Sequence, residues 1–188
     1  MRKLVVSQFI TLDGVVEDPG GSEKMPGGGW AFAYDRGPAG DKFKLDEVMA
    51  SDALLLGKKT YEGFAAAWPS RTDEVGFADK FNGMKKYVVS STLKDPSWNN
   101  STVLTGDVSQ EVAALKDQGD GDLLVNGSVR LCHALFDGDL VDELRLMVFP
   151  VVLGSGKRLF AEGASPNHLQ LVQVQQASEV AILTLQRK

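Results

Sequence analysis

Three short polar turns, each directly after an apolar run, carry residue types that bind phosphate. They are Gly57-Lys58-Lys59-Thr60, Ser90-Ser91-Thr92 and Asn126-Gly127-Ser128. Glycine lets a ligand approach the backbone and lysine supplies positive charge. A helix that begins after such a turn adds unpaired N–H groups and about half a positive charge. Each turn alone is also typical of an ordinary connection between a strand and a helix. Three of them together predict an edge that binds anions.

The elements around these turns determine whether the turns can meet. The stretch Asp122–Phe136 predicts a buried strand, a tight turn and a helix, because its first apolar residues are consecutive and the later ones recur at helical spacing. The runs Ala53–Leu56 and Lys85–Thr92 predict two more buried strands. In α/β domains such strands lie parallel, and ligands bind at their carboxyl ends. The sequence therefore predicts an α/β domain, closed by two antiparallel strands at Leu169–Val174 and Val180–Leu185.

Composition excludes several classes of function. Lys and Arg number 20 against 25 Asp and Glu, a formal charge of −5, which argues against a general nucleic-acid or anionic membrane surface. One cysteine allows no internal disulfide, and two histidines form no cluster at zinc-ligand spacing, so no metal is expected. No apolar run is long enough for a signal peptide or a membrane span. We expect a cytoplasmic protein that is one domain over residues 1–188.

A segment rich in glycine and proline, Asp18–Gly40, contains the aromatic residues Trp30 and Phe32. A long loop with aromatic residues inside a domain is typical of an active-site lid, in which these two side chains would contact a substrate. A surface loop whose aromatic residues cover the edge of the core would have the same composition. A helix is predicted to follow at Asp41–Ala50.

Five motifs occur in a specific order and spacing: Ile10–Gly14, Leu56–Glu62, Val88–Thr92, Val125–Ser128 and Pro150–Gly156. Together they resemble the dihydrofolate reductase-like fold, and within it the C-terminal reductase domain of the bifunctional riboflavin-biosynthesis deaminase/reductase. The resemblance covers nearly the whole chain. It implies a three-layer α/β domain with a mixed, mostly parallel sheet of about eight strands. It also implies an NADPH-dependent reductase, usually a homodimer, that acts on a small heterocyclic substrate.

The resemblance also implies roles for the three turns. Gly57, Lys58, Lys59 and Thr60 would bind the cofactor phosphates, and Ser90 and Ser91 would contact the adenosine 2′-phosphate. Asn126, Gly127, Ser128 and Val129 would form the turn whose N–H groups bind the pyrophosphate. Cations and hydroxyl groups suit a 2′-phosphate, whereas an NAD site needs a carboxylate for the ribose hydroxyls. NADP is therefore preferred over NAD.

Two aspartates are candidates for a catalytic role. Asp13 resembles an acidic residue near the substrate in the riboflavin-pathway domain, although an Asp-Gly pair also commonly forms a turn. Asp41 precedes Gly57 at about the spacing at which dihydrofolate reductases place the carboxylate that binds the pterin. An aspartate at a helix start is also a common cap.

Three functions remain open at this stage. The first is reduction of a heterocycle, most similar to 5-amino-6-(5-phosphoribosylamino)uracil reduction in riboflavin biosynthesis. The second is a dihydrofolate reductase-type pterin reductase, which requires Asp41 in the pocket. The third is a non-catalytic nucleotide- or ligand-binding protein on the same fold. This last alternative is motivated by Lys58 where family members usually have Arg, and by Asn126 where many have a second glycine.

Overall fold

A computed structural model describes residues 2–188. In this part of the chain eight strands form one sheet in the order β4-β3-β2-β5-β1-β6-β8-β7. The strands are β1 Leu4–Thr11, β2 Ser51–Gly57, β3 Lys85–Val89, β4 Ser101–Leu104, β5 Asp122–Asn126, β6 Glu143–Phe149, β7 Leu169–Ala177 and β8 Val180–Arg187. The neighbouring pairs from β4 to β6 are parallel, and β8 and β7 pair antiparallel. This confirms the predicted α/β class and the mixed, mostly parallel sheet.

Five α-helices connect the strands within the described residues. They are α1 Gly37–Ala50, α2 Lys58–Ala67, α3 Phe77–Gly83, α4 Val108–Lys116 and α5 Val129–Asp137. The prediction for α1 was wrong at its start, because the helix begins four residues before Asp41. Pro38 lies in its first turn, where proline fits because its missing N–H would have no partner there. The strand prediction Lys85–Thr92 was also too long, since β3 ends at Val89 and the three hydroxyl residues form a turn.

Alternate residues of the central strands face two different layers of helices. On one face Leu4, Val6 and Ile10 of β1 pack in a cluster that includes α4 and α5. On the other face Val5 packs in a cluster with residues of α1, α2 and α3. Burying each large apolar side chain contributes roughly 1.5–3 kcal/mol, so both faces of the sheet stabilise the fold. These three layers hold the carboxyl ends of the strands in fixed positions.

A segment as apolar as Leu144–Phe149 could be a subunit contact or part of the core. It belongs to β6, which pairs with β1 on one side and β8 on the other. Both edges of this strand are therefore occupied, and the segment is part of the core. No helix within residues 2–188 is long and apolar enough to cross a membrane.

Candidate active site

Four turns lie side by side at one edge of the sheet. The strands β3, β2, β5 and β1 are consecutive neighbours and run parallel, so their carboxyl ends share this edge. The turns that follow them contain Ser90–Thr92, Gly57–Thr60, Asn126–Ser128 and Leu12–Gly14. The first three are the polar turns that the sequence singled out, and the fourth contains Asp13.

The turns after β2 and β5 are joined by two hydrogen bonds. The Gly57 N–H donates to the Ser128 hydroxyl oxygen at 2.9 Å, and the Ser128 N–H donates to the Thr60 hydroxyl oxygen at 3.0 Å. Gly127 has φ = 64°, and a Cβ there would lie 3.1 Å from the Thr60 side chain. Only glycine fits this position without displacing Thr60. The two turns therefore form one rigid unit.

Two helices begin at this unit without a side-chain cap. Gly57 precedes α2 and has no side chain, and the Ser128 side chain, which precedes α5, bonds no N–H group of that helix. The first N–H groups of both helices therefore have no side-chain acceptor and can bind a ligand. The positive ends of both helix dipoles also lie at this unit. Gln8, which sequence reasoning missed, donates from Nε2 to the Gly127 carbonyl oxygen at 2.7 Å and fixes that peptide. The arrangement suits a phosphate group.

The turn after β3 lies beside Lys58. The Lys58 ammonium donates to the Thr92 hydroxyl oxygen at 3.0 Å. The Ser90 hydroxyl is buried and accepts from the Thr92 and Leu93 N–H groups at 3.2 and 3.0 Å, so it stabilises its own turn. Ser91 and Thr92 are exposed. Ser91 and Thr92 therefore present hydroxyl groups at the surface, and Lys58, which also lies 3.8 Å from a Glu62 carboxylate oxygen, places its ammonium beside them.

Lys59 is tied to the glycine-rich loop. Its ammonium forms an ion pair with Glu23, and this hydrogen bond is the largest cause of a raised pKa of Lys59. The loop itself is ordered around Asp18, whose buried carboxylate accepts from the N–H groups of Glu23 and Met25 at 2.9 and 3.0 Å. The loop thus lies against the N-terminus of α2.

Asp13 fastens two loops together. Its carboxylate accepts from the Thr11 hydroxyl at 2.6 Å and from the N–H groups of Leu153 and Gly154 at 3.2 and 2.8 Å. The bond from Thr11 is the main cause of a pKa of Asp13 lowered to about 2. The group is therefore ionised at neutral pH, which suits an anchor and disfavours a proton donor.

The two loop aromatics occupy different environments. Trp30 is buried, donates from Nε1 to the Glu17 carbonyl oxygen at 2.9 Å and packs edge-on against Phe149 at 5.3 Å between ring centroids. Phe32 is 81% exposed. Phe9 of β1 packs against Phe149 at 5.2 Å and is only partly buried. Phe9 is therefore the aromatic ring at the end of β1 that a ligand could reach.

Asp41 lies on α1 at the rim of the surface around Phe9. Its carboxylate accepts from Arg36 Nε at 2.6 Å, and its side chain is 66% exposed. The Arg36 guanidinium carbon lies 5.7 Å from the centre of the Phe9 ring. Asp41 does not cap the helix, because Arg36 occupies the cap position and makes no side-chain cap bond. It is paired with a cation.

Lys44 of α1 is a further polar group at this site that sequence reasoning missed. Its ammonium donates to the Ser7 hydroxyl oxygen at 3.0 Å and forms an ion pair with Glu47. It also lies 3.5 Å from the Asn126 side-chain oxygen and 5.6 Å from the Phe9 ring centre. The i,i+3 spacing of Lys44 and Glu47 was a visible signal. The sequence could not show that this helix face meets β1 and β5.

The described residues support neither a metal site nor a cysteine nucleophile. No group of three or more His, Cys, Asp or Glu side chains among them could hold a metal ion. Cys132 is buried, and burial raises the pKa of its thiol to about 12, so it is not a thiolate nucleophile at neutral pH.

Two proteins of Bacillus subtilis strain 168 are similar to this chain over most of its length. YyaP is 28% identical over 174 residues, covering 91% of this chain and 87% of that protein. YwjB is 26% identical over 170 residues, covering 90% and 89%.

Solved structures have the same fold. A protein from Shewanella sp. PV-4, provisionally assigned to riboflavin biosynthesis, superposes with a TM-score of 0.77 at 20% identity, covering 99% of both chains. A pyrimidine reductase-like protein from Corynebacterium diphtheriae gives 0.68 at 11% identity, covering 100% of this chain and 92% of that one. The RibD C-terminal domain family matches residues 2–183. With its dihydrofolate reductase-like sheet and this family match over nearly its whole length, the chain belongs to the RibD C-terminal domain family.

Proposed function

We propose that this protein is an NADPH-dependent reductase of a small heterocyclic substrate. Its reaction would be similar to the reduction of 5-amino-6-(5-phosphoribosylamino)uracil. The observation that carries the proposal is the hydrogen-bonded unit of the β2–α2 and β5–α5 turns, with two uncapped helix N-termini. A pyrophosphate fits this unit, because Gly127 leaves room for close approach and both dipoles favour negative charge. Reductase activity in general agrees with the family match.

The strand order suggests how the cofactor lies. Neighbouring strands are about 4.8 Å apart, so a dinucleotide can extend over several strand ends. With the adenosine end at Ser91 after β3 and the pyrophosphate at Gly127 after β5, the nicotinamide would reach β1, the next strand. Lys58, Ser91 and Thr92 would bind a 2′-phosphate, and this favours NADPH over NADH.

When bound, the reduced nicotinamide supplies the hydride, and the protein's residues position the reactants and exclude water. Asp13 holds the Leu153–Gly154 loop beside the end of β1. Trp30 and Phe149 form the apolar wall behind Phe9. The pterin reductase alternative gains no support, because the carboxylate of Asp41 is exposed and paired with Arg36.

We expect NADPH to bind at least about tenfold more tightly than NADH, which corresponds to one charge-assisted contact. Lys58→Ala combined with Ser91→Ala should remove this preference by weakening NADPH binding and leaving NADH binding nearly unchanged. Isothermal titration calorimetry measures the dissociation constants of NADPH and NADH for each variant. Lys85→Ala, an exposed lysine at the opposite end of β3, is the charge-matched control. Equal affinity for both nucleotides in the wild type would reject NADP specificity, and binding of neither would reject the proposed function.

Glu23→Gln is expected to tighten NADPH binding by about two- to fivefold, which corresponds to the free energy of one exposed ion pair. The reason is that Glu23 neutralises Lys59, which would otherwise be available to a phosphate group. The measurement is the NADPH dissociation constant at low ionic strength, where exposed charges are least screened. Glu74→Gln removes the same charge at an exposed position outside the site and serves as control. Weaker binding in Glu23→Gln would contradict a competing role for Glu23.

We also propose a homodimer formed through β7. This strand is one of the two edges of the sheet and contains no charged residue over its nine positions. Leu171, Val172 and Val174 are 54, 51 and 59% exposed. Proteins usually protect such edges with charges or prolines, because exposed backbone groups pair with another strand. Antiparallel pairing of two β7 strands around a twofold axis would join these backbone groups and bring the apolar side chains of the two strands into contact with each other.

Val174→Lys should therefore convert a dimer into a monomer, because a lysine on each subunit would replace an apolar contact across the paired strands with two like charges. Light scattering coupled to size-exclusion chromatography measures the mass. Val75→Lys, which alters another exposed valine, should leave the dimer intact. A monomeric wild type, or a dimeric Val174→Lys variant, would contradict this interface.

A further inference from the structure

A cleft of about 520 Å³ lies between α1 and the strands β6, β8 and β7. Its walls include Phe43, Glu47 and Ala50 of α1, and Arg145 lies on its β6 side. Arg145 comes four residues before Phe149, the last residue of β6, which is roughly 13 Å at the rise of a strand. The carboxyl ends of the strands form the proposed cofactor edge. The cleft is therefore a separate place, and a ligand there would be independent of the proposed function.

The sheet face in this cleft changes from apolar to polar toward the amino end of β6. Met147 pairs with Ile182 of β8, and both are buried in an apolar cluster. Two residues earlier, Arg145 pairs with Thr184, which pairs with Gln173 of β7. Residues two apart on a strand, and direct partners across strands, share one face of a sheet. A face that only packs against a helix is expected to remain apolar, so packing alone does not account for this polar row.

The guanidinium group of Arg145 is fixed on one side and unbonded on the other. Its Nε and Nη2 atoms both lie 2.6 Å from one Glu143 carboxylate oxygen, and Nη2 lies 3.5 Å from Asp122. Within residues 2–188, Nη1 forms no hydrogen bond, because the Glu47 Oε2 atom is 3.6 Å away, beyond hydrogen-bonding distance. That Glu47 oxygen is buried and also has no partner among these residues. A donor and an acceptor are thus left side by side in the wall of the cleft.

A hydroxyl group is the small group that satisfies both atoms at once. An ion network that only stabilises the fold normally satisfies its own donors and acceptors. Here an oxygen about 2.9 Å from each atom fits beside the 3.6 Å gap. A hydroxyl oxygen accepts from Nη1 of Arg145, and its hydrogen is donated to Oε2 of Glu47. A carbonyl group can only accept and an ammonium group can only donate, so each would leave one of the two atoms unbonded.

The charged groups around this pair balance one another. Three cations and three carboxylates form mutual ion pairs, and they are Lys3, Lys44 and Arg145 with Asp122, Glu47 and Glu143. Lys42 and Asp46 form another pair at the rim. An anion would meet three carboxylates here, and a cation would compete with Lys44 for Glu47. The cleft therefore favours an uncharged ligand.

We propose that this cleft binds an uncharged molecule with several hydroxyl groups, a sugar or a sugar alcohol. Its volume lies in the range of small-molecule sites and far exceeds the roughly 30 Å³ of one water molecule. Thr184, Gln173 and Gln175 add a hydroxyl group and two amide groups to the lining. The partly buried ring of Phe43 supplies an apolar surface for the C–H groups of such a molecule.

Xylitol and 1,5-pentanediol are matched probes, because they share a five-carbon chain but carry five and two hydroxyl groups. Xylitol, D-ribose and D-glucose are titrated to about 100 mM into ¹⁵N-labelled protein, and the amide chemical shifts are followed by NMR. At least one of the three should saturate with a dissociation constant of about 1–10 mM, as expected for ten to twelve heavy atoms at ordinary ligand efficiency. The shifted amides should lie at residues 39–50, 143–145, 173–175 and 184. The same concentration of 1,5-pentanediol should not shift them.

Two variants test the lining. Arg145→Lys keeps a cation among the three carboxylates but removes Nη1, and it should weaken binding by at least about tenfold. Thr184→Val removes one hydroxyl group at nearly constant size and should weaken binding by about two- to tenfold, the loss of one neutral hydrogen bond. It tests the site even where Arg145→Lys disturbs the ion network and fails to fold. Thr102→Val makes the same change on β4, the opposite edge strand, and should leave binding unchanged.

No saturable shift with any of the three polyols would show that the cleft holds water only, and would overturn the proposal. Equal shifts with 1,5-pentanediol, shifts confined to the turns at 57–60 and 126–130, or full binding in both variants would also overturn it. Glycine, a zwitterion, and inorganic phosphate are titrated in the same way. Tighter binding of either one than of every polyol would contradict the preference for an uncharged ligand.

Discussion

Gly127→Val is expected to weaken NADPH binding by about a hundredfold or more, which corresponds to the loss of two hydrogen bonds to a charged phosphate. Gly127 has φ = 64°, a conformation that costs a residue with a side chain roughly 1 kcal/mol and a β-branched residue more. Its Cβ would lie 3.1 Å from Thr60, so Thr60 must move and the Ser128 N–H would lose its partner. The turn could then no longer accept a pyrophosphate.

A titration of NADPH against the wild type and the variant measures the effect, and Gly127→Ala should lie between them. Gly63→Ala in α2 is the matched control, because a Cβ there meets no atom within 4 Å and alanine favours a helix. NADPH affinity in Gly127→Val within threefold of wild type would show that the β5–α5 turn does not hold the cofactor.

The second large effect concerns stability and Lys86. Its side chain is fully buried, and the ammonium donates to the carbonyl oxygens of Asn82 and Asn99 and lies 4.1 Å from the Trp98 ring centre. Burial lowers the pKa of Lys86 from 10.5 to about 8. Because this base has a lower pKa in the folded state, the unfolded chain binds more protons between these values. The free energy of unfolding therefore rises with pH from about 8 to 10.5.

The rise attributable to Lys86 is about 2–3 kcal/mol. The free energy of unfolding is measured with urea at pH 7.5 and at pH 10.5. It should rise more between these pH values in the wild type than in Lys86→Met, in which this group cannot titrate. Lys85→Met changes the exposed neighbour in β3 and should behave as the wild type does. The same pH dependence in Lys86→Met and wild type would contradict a lowered pKa.

Local sequence patterns were sufficient for the central part of the fold. The apolar run of β5, the glycine turn and the helical spacing after it predicted strand, turn and helix at the observed places. Such patterns predict an element correctly where the spacing of its own apolar residues determines which face is buried. They failed at the start of α1, where Gly37, Pro38 and Gly40 indicate a loop, because tertiary packing and the tolerance for proline in the first turn outweigh propensity.

The candidate site depends on contacts between residues that are far apart in the sequence, more than the central strands and helices do. Asp13 bonds the N–H of Gly154, which is 141 positions away, and no spacing rule predicts such a partner. Trp30 and Phe32 are similar in sequence terms, yet one is buried and the other is exposed. Lys44 meets Ser7 and Asn126 only because α1 crosses that face of the sheet. Sequence could thus predict the turns, but not the side chains that face them.

The most direct test of a cofactor site at the paired turns is amide hydrogen exchange with and without NADPH. The first-turn amides of α2 and α5 have no side-chain cap and should exchange readily in the free protein. We predict that NADPH protects residues 57–60 and 126–130 together, and that NADH protects them less. Protection confined to other segments, or no protection at saturating NADPH, would contradict the proposal that these two turns bind the pyrophosphate.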